Sequence, residues 1–480
     1  MTGPRAPAAP PMIGRGSYVL GALGGGIRGY ELGVVSTALI FAKPALDLTP
    51  STTGWVVSSA LIGSLFGALG AGPLADRFGR RVLLSLAAVL YSAGILIAAF
   101  APDAGVLIAS RVVLGVAVGI ATAMIPVYLS EISPALRRGT FSGLFQVMIT
   151  VGVLAASLVG LAFTPIDGWR WMIGLGIVPS VVMFAGALRL PESPRWLVDH
   201  GRDAEALAVL SGSRSADEAR REIEDIRTVS RETADREGER PAARVFLSLF
   251  RSRPLARLLL AGSVLGVLQQ LIGINAITYY APSVLKGIGF SDTAAVTANV
   301  GLSALGLIAT VVMAYVVVDR VGRRLPLIWG ALAMAVSMLV LALVFLGAHD
   351  GKVSGGAGYL AVAGLALFQV AFALSWGGIV WIVLGEMFPL AVRGMAMGIA
   401  TFLTELASVV VSQVFPSLLD AGATTVFLAF AAMGVLAVIW AIYMVPETGG
   451  RTLEQIEESH TTPAPPPTPI PDCLNERPSP

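Results

Sequence analysis

Apolar runs of about 20 residues, long enough to cross a hydrocarbon core as helices, recur along the whole chain. They lie near 17–41, 54–74, 82–101, 105–129, 140–164, 170–190, 255–285, 293–318, 325–347, 358–384, 391–419 and 423–445, and predict twelve spanning helices. Many carry glycine, as at Gly115 and Gly119, and small residues let membrane helices approach closely. One long polar stretch, 191–254, divides the set into two groups of six. Within it Trp196, Leu197, Ala204, Leu207 and Leu210 predict a short amphipathic helix over 195–211, and 215–232 reads as a second, charged helix. The expected layout is a disordered N-terminus (1–16), a six-helix half (17–190), a helical linker (191–254), a second half (255–445) and a Pro-rich tail (446–480). The first residues have no basic cluster and no apolar core, unlike a signal peptide.

Composition turns this pattern into a class. The 480 residues are 55% hydrophobic and 13% charged, with a mean hydropathy of +0.77. The expectation is an all-α, polytopic membrane protein. The single cysteine, Cys473, excludes a disulfide framework. His200, His349 and His460 all lie outside the apolar runs, so neither a metal site nor a cofactor is expected. A net charge of +2 gives no reason to expect nucleic acid. Arginines cluster after the second, fourth, eighth and tenth runs and in 191–254, which places those loops and both termini in the cytoplasm. The three lysines, Lys43, Lys286 and Lys352, fall on the other side. Arginine bias with abundant Ala and Gly points to a GC-rich bacterial genome, hence a bacterial plasma membrane.

The two groups repeat their punctuation. GPLADRFGRR, with Asp76, Arg77 and Arg81, is answered by VVVDRVGRRLP, with Asp319, Arg320 and Arg324. Glu131 precedes Arg138 by seven residues, as Glu386 precedes Arg393. PESPRW, with Glu192 and Arg195, is matched by PETGGR, with Glu447. Each motif sits at an expected cytoplasmic helix end. The expectation is an ion-pair lattice inside each half, either gating the cytoplasmic side or anchoring the loops.

Polar side chains also occur inside the apolar runs. The stretch 269–280, QQLIGINAITYY, carries Gln269, Gln270, Asn275 and Tyr279. In hydrocarbon such groups need partners from neighbouring helices or from a polar ligand. Amides both donate and accept, which suits hydroxyls. Asn275 and Tyr279 share a helix face, whereas the glutamines do not, and a break at Gly273 would let all of them converge. Gln146 and Glu31 stand in other runs.

PVYLSEISPALRRG, QQLIGIN-x3-YY, PESPRW and PETGGRTLE, together with GPLADRFGRR, resemble the sugar porter family of the major facilitator superfamily over about 17–458. The resemblance implies alternating access between two halves, with Gln146, Gln269, Gln270 and Asn275 holding a sugar and Trp376 and Trp381 stacking on it. For each tryptophan, helix packing or a membrane-interface belt is the rival reading. The resemblance also pairs Glu31 with Arg111 as the proton-coupling site, a carboxylate alternating between arginine and proton. Sugar or polyol, protons and the bilayer are the implied partners, for a monomeric chain.

Four positions depart from the family pattern. Arg28 stands for phenylalanine, Glu405 for tryptophan beside Thr404, Leu307 for asparagine and Gly378 for proline. Arg28 and Glu405 are expected to face the cavity from opposite halves and to pair in one conformation. The rival is a local Arg28–Glu31 pair, which would weaken coupling. These changes leave a pentose, an inositol, or a smaller or charged polyol open in place of glucose. Proton symport leads; uncoupled uniport is the alternative, and a sugar sensor or an exporter ranks far below. No nucleophile–base spacing, phosphate loop or metal cluster suggests an enzyme.

Overall fold

The computed structural model describes residues 15–132, 138–212, 214–239, 246, 249–317, 321–347, 355–389, 392–445 and 447. Both chain ends, together with Asp319 and Arg320 of the repeated motif, lie outside these residues.

The first half contains α1 (Arg15–Ala45), α2 (Pro50–Phe78), α3 (Arg80–Ala99), α4 (Ala104–Ile132), α5 (Arg138–Phe163), α6 (Trp169–Gly174) and α7 (Ile177–Ala187). The linker holds α8 (Pro194–Asp199), α9 (Asp203–Leu210) and α10 (Ala216–Glu239). The second half contains α11 (Arg253–Leu271), α12 (Ile274–Gly287), α13 (Asp292–Val312), α14 (Arg324–Leu346), α15 (Gly355–Leu374), α16 (Trp376–Met387) and α17 (Arg393–Tyr443).

Ten helical stretches among the described residues are long and apolar enough to cross a membrane. Two features reconcile ten with twelve. α1 has 31 residues, but its hydropathy is lowered by Arg28, Glu31 and a run of glycines. α17 has 51 residues, with non-helical torsions at Gly422. If straight, it would hold Thr404 and Trp440 about 54 Å apart. Yet Thr404 lies against Gly266 and the Trp440 indole N–H donates to the Ala261 carbonyl at 3.2 Å, so both limbs meet α11 five residues apart. The chain therefore reverses at Gly422, and α17 is two spans.

Glycine seams set the packing of the first half. A Cβ on Gly25, Gly29 or Gly33 of α1 would fall within 2.7 Å of a carbonyl oxygen of α5. Gly63 and Gly67 of α2 meet α4 in the same way, and Gly115 and Gly119 of α4 return the contact to α2. Backbone against backbone gives dispersion contact that larger residues would prevent. Outward-facing Leu86, Val89, Val181, Leu305, Ile308, Leu339 and Leu343 are exposed, as a lipid-facing surface requires.

The linker differs from its expected form. A single helix over 195–211 is divided into α8 and α9 by Gly201, whose φ of +70° no helix contains. α10 begins with a capping box: Ser215 donates its N–H and hydroxyl to Glu218, and Glu218 N–H returns to Ser215 Oγ. These hydrogen bonds hold the Glu218 carboxyl below its ordinary pKa. The Trp196 indole donates to the Asp76 carbonyl at 2.9 Å, tying α8 to the end of α2.

The glycine seams yield a test. Gly115→Val pushes a side chain into the Ala60 carbonyl, where a Cβ would sit at 2.0 Å, and is expected to cost about 1–3 kcal/mol. Gly72→Ala, with nothing within 4 Å, should stay within about 0.5 kcal/mol of the parent. Thermal unfolding in detergent measures both.

Candidate functional site

The break at Gly273 builds the polar centre of the second half. Its φ of +102° ends α11 and restarts the helix as α12. The side chains on either side then join in a chain of hydrogen bonds. Gln269 Nε2 donates to the Trp376 carbonyl at 2.7 Å, and Gln270 Nε2 to Gln269 Oε1 at 3.1 Å. Asn275 Nδ2 donates to Gln270 Oε1 at 2.9 Å and to Ser408 Oγ at 2.5 Å. Gln269 is buried, Gln270 nearly so, and Asn275 is half-buried.

The two tryptophans separate. Trp376 is fully buried, its indole N–H donating to the Leu327 carbonyl of α14 at 2.8 Å. That is the packing arrangement rather than an offered stacking face, and Gly330 leaves room for the adjacent Ser375. Trp381, one and a half turns on, is 36% exposed. Thr404 is likewise spent: its hydroxyl donates to the Ala400 carbonyl at 2.8 Å, and its side chain fills the notch at Gly266. Gly378 abuts Met313, which occupies the volume a larger residue there would need. Leu307 is half-buried on α13.

In the first half, Glu31 of α1 and Arg111 of α4 form an ion pair with side chains 6% and 3% exposed. Arg111 Nε also donates to the Val56 carbonyl at 3.1 Å. Both charges are thus shut away from water, each with the other as its ion-pair partner. Gln146 is half-buried on α5, without a hydrogen-bond partner among the described residues. Arg28 pairs with neither Glu31 nor Glu405 in this conformation; its Nη1 reaches Thr122 Oγ1 at 3.5 Å. Glu405 Oε2 is buried with no hydrogen-bond partner, and so is the hydroxyl of Tyr279.

The repeated helix-end motifs form the same arrangement twice. Gly79 and Gly322 have φ of +93° and +76°. This conformation turns the next two backbone N–H groups onto one carboxylate. Glu192 accepts from Arg80 and Arg81, and Glu447 from Arg323 and Arg324. An acid at a helix N-terminus also complements the dipole.

The partners within these motifs differ from the expected lattice. Arg81 and Arg324 donate to carbonyls at the ends of α7 and α17, Ala187 and Leu188 in one half, Ala441 and Ile442 in the other. The ion pairs go to the preceding arginines, Arg80 with Glu131 at 3.3 Å and Arg323 with Glu386 at 3.2 Å. Asp76 joins Arg80 from an exposed position. Arg77 lies over the Phe78 ring, Arg195 is exposed, and Arg393 Nε donates to the Phe388 carbonyl at 3.0 Å. The Arg138 side chain lies outside the described residues.

Sequence reasoning also passed over the contacts that join the halves. Ser58 donates to Gln413 Oε1 at 2.6 Å, and Gln413 Nε2 to the Ser51 carbonyl at 3.3 Å. Asn299 donates to Ser36 and Ser157, and Ser157 meets Ser303 at 2.9 Å. All lie toward the end of the bundle away from the arginine motifs. The signal was present: Asn299 and Gln413 are amides inside apolar runs. Each ion pair between described residues, by contrast, stays within one half or the linker or joins neighbouring helices of the second half.

A family model described as sugar (and other) transporter matches residues 18–460. The chain belongs to this family. Among its relatives, a glucose transporter of Staphylococcus epidermidis is 39% identical, with 92% of this chain and 96% of the relative aligned. The galactose-proton symporter of Escherichia coli is 37% identical over 92% and 93%. The inward-open structure of the Escherichia coli xylose transporter superposes with a TM-score of 0.76 at 29% identity, covering 92% of this chain and 98% of the other. The transporter thus shares its fold with a conformation named as open at one side, in keeping with halves joined at one end.

The Glu31–Arg111 pair makes a stability prediction. Arg111→Leu strands a buried carboxylate and is expected to cost about 3–5 kcal/mol. Adding Glu31→Gln removes the stranded charge and should recover part of that loss, an ordering that thermal unfolding of the three proteins in detergent reads directly.

Proposed function

We propose that the protein is a proton-coupled symporter of a monosaccharide or related polyol, working by alternating access in a bacterial plasma membrane. The observation that carries this is the buried Glu31–Arg111 pair of one repeated half, in a chain whose other half holds the Gln269–Gln270–Asn275 polar centre. Relatives named as sugar transporters, one of them a galactose-proton symporter, support the reading.

The arginine-motif ends are the cytoplasmic ends, as arginine placement favours. In this conformation the halves meet at the external end, and the substrate site opens to the cytoplasm. Gln146 and the Gln269–Gln270–Asn275 chain hold hydroxyl groups, and Trp381 supplies an apolar face. The capping carboxylates Glu192 and Glu447, with the Arg80–Glu131 and Arg323–Glu386 pairs, make each half a rigid body at its cytoplasmic end.

Protonation drives the cycle. A proton on Glu31 neutralises the carboxylate and releases Arg111 from it; return of the charge restores the pair. Only a group that changes partners in this way ties a proton to a substrate movement. The chain acts as a monomer, each copy carrying a complete site between its own halves.

The uncoupled alternative differs at one residue. Glu31→Gln is expected to abolish accumulation of substrate against its gradient in proteoliposomes while exchange of internal for external substrate persists. Accumulation that survives the change would remove Glu31 as the proton site and favour uniport.

A further inference from the structure

The described hydrogen bonds between the halves are made by neutral groups, and two amides carry most of them. Gln413 of α17 lies across the first turns of α2. A helix carbonyl points toward the C-terminus and a side chain leans toward the N-terminus. The Ser51 carbonyl and the Ser58 hydroxyl therefore approach each other along one face, although the residues stand about two turns apart. Gln413 bridges them: Oε1 accepts from Ser58 at 2.6 Å, and Nε2 donates to the Ser51 carbonyl at 3.3 Å. Gly54 lies between, where a Cβ would come within 2.3 Å of the Gln413 carbonyl oxygen. Asn299 of α13 makes the second bridge, donating to Ser36 of α1 at 3.4 Å and to Ser157 of α5 at 3.3 Å. Ser36, Ser58, Ser157 and Asn299 are all buried.

These bonds exist only while that end of the bundle is shut. When it opens, the amides and their serines meet water, which replaces the partners they lose. Removing an amide therefore penalises one conformation and spares the other, and a difference of that kind moves a population. The two bridges are unequal. Ser58 Oγ has no other hydrogen bond among the described residues, so without Gln413 its hydroxyl is stranded in the shut state. Ser36 and Ser157 keep bonds to the Gly33 and Val153 carbonyls of their own helices. Gln413 is the heavier grip.

We propose that Gln413 and Asn299 are positioning residues of the transport cycle, an amide clasp that holds the resting protein shut at its external end. This rests on the transport reading above. The clasp sets the fraction of empty protein that opens outward, and the apparent affinity for external substrate is scaled by that fraction. Neither amide needs to touch the substrate. A general loss of packing would loosen both ends of the bundle. Loss of the clasp makes the halves rock, so the external end widens while the cytoplasmic end narrows.

The test measures spin-label distances in full-length protein in which the single cysteine is removed by Cys473→Ala. One label pair spans the external end, at the exposed positions Ala45→Cys and Asp420→Cys, and another spans the cytoplasmic end, at Arg189→Cys and Val321→Cys. Gln413→Leu is expected to raise the ratio of outward-open to inward-open protein about tenfold, with longer external and shorter cytoplasmic distances. Asn299→Leu should shift it the same way by about threefold. Ser58→Ala added to Gln413→Leu removes the stranded hydroxyl and should return the ratio part of the way to the parent's. If Gln413→Leu fails to fold, Asn299→Leu and Ser58→Ala alone decide the direction. Populations unchanged from the parent, or widening at both ends, overturn the inference. They leave the transport reading standing, because no substrate enters the measurement. One conformation in every variant, together with no uptake of labelled glucose, galactose or xylose by the parent, overturns both.

Discussion

A polar group inside hydrocarbon has only the protein to bond to. This constraint orders the whole molecule. Several amides within spans are answered by another helix: Gln269 meets Trp376, Gln413 meets Ser58, and Asn299 meets Ser157. Where it places a charge deep in the bundle, an opposite charge answers, as Arg111 answers Glu31. Glu405 Oε2 and the hydroxyls of Tyr279, Thr37, Ser263 and Ser412 are buried without a hydrogen-bond partner among the described residues.

The same bonding economy explains why the halves can move as units. Inside the first half, glycine seams bring backbones into contact. At the arginine ends, a glycine with positive φ aims two amides at one glutamate, and the arrangement occurs once in each half. Between the halves the described hydrogen bonds lie toward one end, from serine hydroxyls and two amides, where Gly54 also packs against the Gln413 carbonyl. Two densely bonded halves whose described hydrogen bonds to each other gather toward one end suit rocking about a central site.

Much of this was legible in the sequence. Hydropathy located the spans, because a bilayer demands a fixed apolar length. The repeat placed Glu131 and Glu386 at equivalent helix ends, and the glycine at 273 foretold the break that gathers Gln269, Gln270 and Asn275. Other assignments needed three dimensions. In GRR the sequence offers two adjacent arginines, and only helix rotation sends Arg80 and Arg323 to glutamate while Arg81 and Arg324 turn to carbonyls. Trp376 and Thr404 looked like site residues by position, but the Leu327 carbonyl holds the buried Trp376 indole and Gly266 opens a packing notch that claims Thr404. Spacing along one helix carries no information about a notch in its neighbour.

Proton movement coupled to substrate entry is the central claim. It is tested most directly by trapping a pH-sensitive dye inside proteoliposomes and adding substrate outside, with no pH gradient imposed. The account predicts acidification of the lumen in step with entry of labelled polyol or sugar. Entry of the same substrate with no change in internal pH would contradict it.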